Sequence, residues 1–262
     1  MILIPCYVIN LLRRKDRLKK ITNHLNSLNI SFNRFNAIDG QSVSKEILLK
    51  NMDVSGPLGE LSDGDRACFQ SHYRLWNLLS TRENRPVMVL EDDVILSKNA
   101  PNILKNLDWI PKDSQIIKLD RFGNNKHKIL ISKKFYTLNK DYKIHYLLSK
   151  HGGTGGYIIT PKGIKTLLEM NTQVNVSVDH YLFNPNNSKI FHLLKPFQMV
   201  PSICEQQDNI SDIQNSRLIL RKNSLSYYIR EIIRGYYEIR LLPFQILKYF
   251  SKKAKLIKPS FF

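Results

Sequence analysis

The chain has 262 residues, 42% hydrophobic and 24% charged, which fits one folded domain and excludes both a disordered chain and two large cores. Forty Lys and Arg against 22 Asp and Glu leave a formal charge of +18, which draws the surface to polyanions: nucleic acid, anionic lipid or phosphorylated glycolipid. The three cysteines, Cys6, Cys68 and Cys204, have no metal-type C-x-x-C spacing; Cys6 and Cys68 sit in apolar contexts, read as buried thiols and fit a reducing compartment.

Residues 2–11 are the first expected core strand. The apolar run is short, Pro5 interrupts it and the basic cluster follows it, the reverse of a secretory signal. A helix is expected over 14–28, with Leu18, Ile21, Leu25 and Leu28 on one face and basic residues on the other. Residues 31–38 form a second strand, closed by the turn signal Asp39-Gly40. The next helix runs over 64–80 and is capped by Ser62 or Asp63. Residues 86–93 are an apolar strand ending in acid, and 115–120 and 155–160 are further strands. A helix over 161–170 carries Pro161 in its first turn. This alternation predicts an α/β fold, a Rossmann-type, mainly parallel sheet with helices on both faces. No run of 18 or more apolar residues occurs, so no spanning helix is expected.

The composition shifts near residue 215, dividing the chain into 1–215 and a basic helical extension over 216–262. There Leu225, Tyr228, Ile229, Ile232, Ile233, Tyr236 and Tyr237 recur at helical spacing with Arg230 and Arg234 between them; Gly235 and Pro243 are expected to break the run into short helices. Basic residues with interfacial Tyr suit the headgroup layer of an anionic membrane. The alternative is packing on the catalytic domain or on a second copy of the chain, as a homodimer.

Chemistry concentrates in four places. Glu91, Asp92 and Asp93 end a buried strand, where three carboxylates repel one another unless a cation or donors compensate. Alternate residues of an extended segment point the same way, so Glu91 and Asp93 can address one ion, and hard oxygen ligands favour Mn²⁺ or Mg²⁺. A solvated acidic turn is the alternative. Asn10 to Arg17, after the first strand, offers arginines at a helix N-terminus, an anion site or an ordinary basic turn. The segment Gly64–Trp76 contains His72, a substrate ligand or a satisfied core histidine. Gly152 to Gly156 lets backbone approach a ligand, though without the Lys of a phosphate loop; Asp179 follows as a candidate general base.

The motifs YVINLLRRKDR at 7–17, FNAIDG at 35–40, LSDGDRACFQSHYRLW at 61–76, VLEDDVIL at 89–96, GGYIITPKGIKTLL at 155–168 and VDHYL at 178–182, in that order, resemble glycosyltransferase family 25, the lipooligosaccharide galactosyltransferase family. The resemblance covers about residues 1–213. It implies a GT-A fold over 1–215, a UDP-sugar donor, a divalent cation and inversion at the sugar carbon. It places the metal on Glu91 and Asp93, and the donor against Asn10, Arg13, Arg17, Asp39, Glu91, Asp92, Gly155 and Gly156. Asp179 becomes the catalytic base, with Asp120 as runner-up, and His192 or Asp208 a third metal ligand. The family's Gly before Cys68 is here Ala67. The implied reaction moves galactose from UDP-galactose to a lipooligosaccharide or lipopolysaccharide outer-core acceptor, and the basic tail is expected to bind the cytoplasmic face of the inner membrane, where such an acceptor sits. Glucose is the other donor.

Two competing functions are weighed. A basic nucleic-acid-binding protein would use the +18 charge and the tail tyrosines but leaves the acidic cluster and Arg13–Arg17 without a role, so no nucleic acid is expected. A glycoside hydrolase would use two carboxylates without nucleotide or metal.

Overall fold

The computed structural model describes residues 4–121, 127–170, 173–207 and 225–261, with only the backbone described at 225–230. A βαβ unit opens the chain: β1 (Cys6–Asn10), α1 (Lys15–Ser27) and β2 (Asn33–Asn36), with β1 and β2 parallel. Next come α2 (Lys45–Leu49), the short pair β3 (Ser55–Gly56) and β4 (Gly59–Glu60), and the long α3 (Asp63–Arg82). The expected apolar strand is β5 (Val87–Glu91), which stops at the first acid; β6 (Val94–Leu96) and α4 (Ala100–Leu104) follow. The 115–120 strand divides into β7 (Ile116–Lys118) and β8 (Asp120–Arg121). An antiparallel pair, β9 (Ile129–Thr137) and β10 (Lys143–Leu147), precedes β11 (Gly156–Ile159) and α5 (Pro161–Glu169). The remaining elements are α6 (Val178–Phe183), α7 (Lys189–Leu194), β12 (Phe197–Val200), β13 (Cys204–Gln206), α8 (Leu225–Ile239), α9 (Leu242–Phe250) and β14 (Ala254–Ile257).

The central sheet has nine strands in the order β14-β9-β10-β12-β7-β11-β5-β1-β2. By direction it is mainly parallel: β2, β1, β5, β7, β12 and β9 run one way, while β11, β10 and β14 oppose them. Side chains alternate between the faces of a strand, so both faces of a covered sheet must be apolar. Tyr7, Ile9, Val87, Val89, Tyr157 and Ile159 face one core, packed under Phe69, Leu75, Trp76 and Leu79 of α3 and Ile164 and Leu167 of α5. Cys6, Val8, Met88, Leu90 and Ile158 face the other, under Ile21 and Leu25 of α1 and Ile103 and Leu104 of α4.

A second sheet, β6-β13-β8, takes up the chain just past the carboxyl ends of β5 and β7. Asp92 and Asp93 form the turn between β5 and β6, and β13 brings Gln206 opposite Val94 beside that turn. The tail differs from expectation. Helix α8 runs through Gly235 without a break, because a glycine in a helix costs only about 1 kcal/mol against Ala. Pro243 sits in the first turn of α9, where its missing N–H costs nothing. The chain then returns to the sheet: β14 pairs antiparallel with β9, and Ser202 N donates to Ser260 O at 2.8 Å.

Candidate active site

Helix α3 begins with a capping box. Ser62 Oγ accepts from Asp65 N at 3.1 Å and Asp65 Oδ2 accepts from Ser62 N at 3.2 Å, which settles the cap on Ser62. The helix then carries Cys68, Ser71 and His72 along one wall of a cleft of about 620 Å³. The ends of β1 and β5, the turn at Asp39-Gly40, Arg13, Arg17 and Gln206 line the rest. A volume of this order accommodates a nucleotide-sized ligand.

The parallel register of β1 and β5 sets Ile9 against Glu91, so Asn10 stands beside the acidic turn. Asn10 is buried; its Nδ2 donates to Asp92 Oδ2 at 2.6 Å and its Oδ1 accepts from Arg34 Nε at 3.1 Å. Arg17 Nη1 donates to Asp92 Oδ1 at 3.1 Å and approaches Asp93 Oδ2 at 3.4 Å. Asp92 is therefore committed to holding β1, α1 and β5 together. Glu91 and Asp93 converge instead: Gln206 Nε2 donates to Glu91 Oε2 at 3.3 Å and reaches Asp93 Oδ1 at 3.2 Å. The Thr154 hydroxyl donates to Glu91 Oε1.

Three carboxylates face one guanidinium here, and the surplus negative charge is held out of water. Burial and then the charge of Glu91 push the Asp93 pKa up to about 7. Burial raises Asp92 too. At Glu91 burial works the same way, but His72 and the Thr154 hydroxyl outweigh it and the net shift is downward. Oxygen donors converging from Glu91 and Asp93, with uncompensated charge between them, fit a hard divalent cation.

Among the described residues, the group that brings three ligand atoms within 4.8 Å of one another is a different one: Cys68, His72 and Glu91. The hydrogen-bond chain behind it sets its chemistry. Trp76 Nε1 can only donate, and it does so to the Tyr157 oxygen at 3.0 Å. Tyr157 is fully buried, so its own proton goes to His72 Nδ1, 2.8 Å away. The imidazole proton is then on Nε2, 3.5 Å from Glu91 Oε1. In that tautomer Nε2 turns a proton rather than a lone pair toward Glu91. His72 is thus a core histidine by burial and a cleft residue by position.

The comparisons with known proteins agree with these motifs. Residues 3–182 match Glycosyltransferase family 25 (LPS biosynthesis protein). The chain belongs to glycosyltransferase family 25. A Haemophilus influenzae relative is 32% identical over 76% of this chain and 69% of its own. The lipooligosaccharide biosynthesis protein lic2B of Haemophilus influenzae is 27% identical over 78% of this chain and 76% of its own. The lacto-N-neotetraose biosynthesis glycosyltransferase LgtE of Neisseria gonorrhoeae is 25% identical over 81% and 78%. Among solved structures, a glycosyltransferase involved in glycosylation of the major capsid of PBCV-1 aligns with a TM-score of 0.37 and 7% identity, over 82% of this chain and 98% of that one, too distant to add to the fold described above.

Within this family 25 transferase, the cleft gathers Arg13, Arg17, Asp39, Glu91, Asp92 and Asp93, with Asn10 directly behind them. Arg13 Nε donates to Asp39 Oδ2 at 2.6 Å, so these two predicted donor contacts are each other's partners. Gly155 and Gly156 lie beneath the acidic turn rather than along the cleft. A Cβ on Gly156 would stand 2.6 Å from Cys204 Sγ, and one on Gly155 3.0 Å from Val94 Cγ1. Asp179 is half-buried outside the cleft lining; its carboxylate accepts from Ser177 Oγ at 2.5 Å and Gly153 N at 3.3 Å. Asp120 is fully buried and bound to Lys118 Nζ at 2.7 Å, while Lys118 also donates to Gly153 O at 2.5 Å. His192 on α7 bonds Pro185 O at 3.0 Å and is not part of the cleft lining, and Asp208 lies outside the described residues. Cys68 is half-buried and lines the cleft, against the expectation of a buried thiol. Sequence reasoning missed Gln206 and Lys118, because a lone Gln or Lys carries no motif and long-range pairing alone brings it to the site, and it passed over Thr154 inside the glycine-rich segment, whose hydroxyl rather than backbone reaches Glu91.

Proposed function

We propose that the chain transfers a hexose from a UDP-hexose donor, with UDP-galactose as first choice, to a lipooligosaccharide outer-core acceptor with inversion at the sugar carbon. The convergence of Glu91 and Asp93 on Gln206 Nε2, at the end of an apolar strand in a cleft of nucleotide size, carries this reading. Glu91 and Asp93 would hold the cation, Mn²⁺ or Mg²⁺, which when bound neutralises the diphosphate leaving group. Arg17 orients Asp92 and Asp93, and Asn10 ties the turn to β1. Arg13 offers its guanidinium to the donor from the cleft mouth. Asp179 accepts the proton of the acceptor hydroxyl as the sugar carbon is attacked opposite the leaving group. Asp120 is the runner-up, though its salt bridge to Lys118 and full burial close it to an acceptor in this conformation.

The lipooligosaccharide biosynthesis names of the relatives support the acceptor class, and an acceptor of that class would place the enzyme on the cytoplasmic face of the inner membrane. The test is hydrolysis of a UDP-sugar panel, without acceptor, in Mn²⁺, in Mg²⁺ and in chelator. UDP-galactose is expected to be cleaved fastest with Mn²⁺. Faster UDP-glucose cleavage would reassign the donor, and undiminished cleavage in chelator would remove the metal.

A further inference from the structure

Helix α9 carries an apolar surface that nothing among the described residues covers. None of its residues is buried. Phe250 is 76% exposed and Leu247 65%, and Leu242, Phe244, Ile246 and Tyr249 are exposed beside them. Monomeric proteins rarely leave so contiguous an apolar patch in water. The helix is not a frayed end, because β14 follows it directly and is paired into the sheet, and Gln245 Nε2 donates to Leu148 O at 3.0 Å. The patch is therefore held in place with its apolar side outward.

The charges around it select its partner. After Glu238 the sequence contains Arg240, Lys248, Lys252, Lys253, Lys255 and Lys258 and not one Asp or Glu. Lys248 Nζ lies 4.3 Å from the Phe244 ring, so cations are interleaved with the apolar residues. Lys252 and Lys253 are exposed in the turn after Phe250. On the adjoining strands Lys133, Lys143 and Lys255 crowd one another, and burial together with the ammonium groups of Lys143 and Lys133 pushes the Lys255 pKa down. A second copy docked by two-fold symmetry would set these cations against their equivalents. A surface that accepts both aromatic rings and unpaired lysines is an anionic lipid headgroup layer.

We propose that α9 and the turn after it form a docking face for an anionic lipid bilayer, into which Leu247 and Phe250 insert while Lys252 and Lys253 contact the headgroups. This deepens the reading that the acceptor is a glycolipid and rests on it for purpose only. Vesicle binding needs neither donor nor turnover, so either can fail without the other.

The full chain is sedimented with phosphatidylcholine vesicles, with and without phosphatidylglycerol, alongside Leu247→Ser/Phe250→Ser and Lys252→Ala/Lys253→Ala. All four positions are exposed, so melting temperatures should match and act as the control for folding. The unsubstituted chain is expected on the anionic vesicles alone. The lysine pair should weaken binding about 30-fold, the effect of two basic residues at a charged surface. The apolar pair should weaken it by at least 10-fold, a modest share of two inserted side chains. Equal binding to both vesicle types, or unaltered binding by either variant, would overturn the proposal. So would a concentration-dependent dimer that Leu247→Ser/Phe250→Ser dissolves, since the occupant would then be a second copy.

Discussion

Asp93 is held ionised only against burial and the charge of Glu91, and its raised pKa links it to both stability and metal binding. A carboxyl whose folded pKa lies above its unfolded value stabilises the fold while protonated, and that contribution is lost as pH rises through the folded pKa, here about 7. The metal-free protein should therefore lose stability from about pH 4 to 7 more steeply than Asp93→Asn, as read by melting temperature in chelator. Asp93→Asn should also abolish transfer and the melting shift produced by Mn²⁺; near-normal activity would remove Asp93 from the metal site. Asp179→Asn tests the base. The amide keeps the shape but cannot take the proton, so kcat should fall on the order of 10²–10⁴-fold with UDP-sugar affinity kept. A collapse of donor affinity would make Asp179 a binding residue. Tyr157→Phe tests the proton order behind His72. It leaves the Trp76 N–H and His72 Nδ1 without their partner, at about 1–3 kcal/mol. Imidazole nitrogen shifts in NMR should show His72 protonated on Nε2 in the parent and lose that fixed tautomer in the variant; protonation on Nδ1 in the parent would refute the chain.

At the scale of elements, α3 sets one wall of the site, and its start depends on one short motif. Ser62→Ala removes the cap on Asp65 N and should cost about 1 kcal/mol, measured by denaturant unfolding, with a larger effect on donor KM than on kcat if the first turns of α3 line the donor cleft. An unchanged stability would mean that burial of α3, not its cap, fixes the helix start. This cap was legible in the sequence, as was β5, because five apolar residues followed by three acids is a local pattern. The reversed direction of β11 was not, since strand direction is decided by which neighbour it meets, and β5 and β7 are far away in the chain. The β9–β10 pair went unnoticed because Ser132, Lys133 and Lys134 interrupt its apolar run. Of the candidate site, Glu91, Asp93, Arg17 and Asn10 lie in local motifs that the fold brings together, whereas Gln206 arrives through the pairing of β13 with β6.

Residues 254–261 cover the outer edge of the central sheet. β14 hydrogen-bonds along β9 from Ala254↔Ser132 to Ile257↔Ile129, Lys133 N donates to Lys253 O at 3.0 Å, and the segment beyond reaches Ser202. The basic tail that composition sets apart from the catalytic region therefore ends as the sheet's outer strand, and on the way α8 is tied to the body where Asn186 Nδ2 donates to Glu238 O at 2.8 Å and α9 where Gln245 Nε2 donates to Leu148 O at 3.0 Å. A chain ending at Ser251 would keep both helices and lose the strand. It would expose the edge of β9, where Ile129 and Ile131 are buried, and leave their backbone groups unpaired. The lost ladder bonds and apolar burial together amount to roughly 2–4 kcal/mol. In a chain of this size that lowers the melting temperature by roughly 5–10 °C. An exposed, flat strand edge also pairs with other chains, so the shortened protein should aggregate on warming while the full chain stays dispersed. Calorimetry and light scattering of the two chains measure this directly. Equal melting temperatures would show that β14 is an ornament on a sheet already complete at β9, and that the tail is free to act independently of the fold.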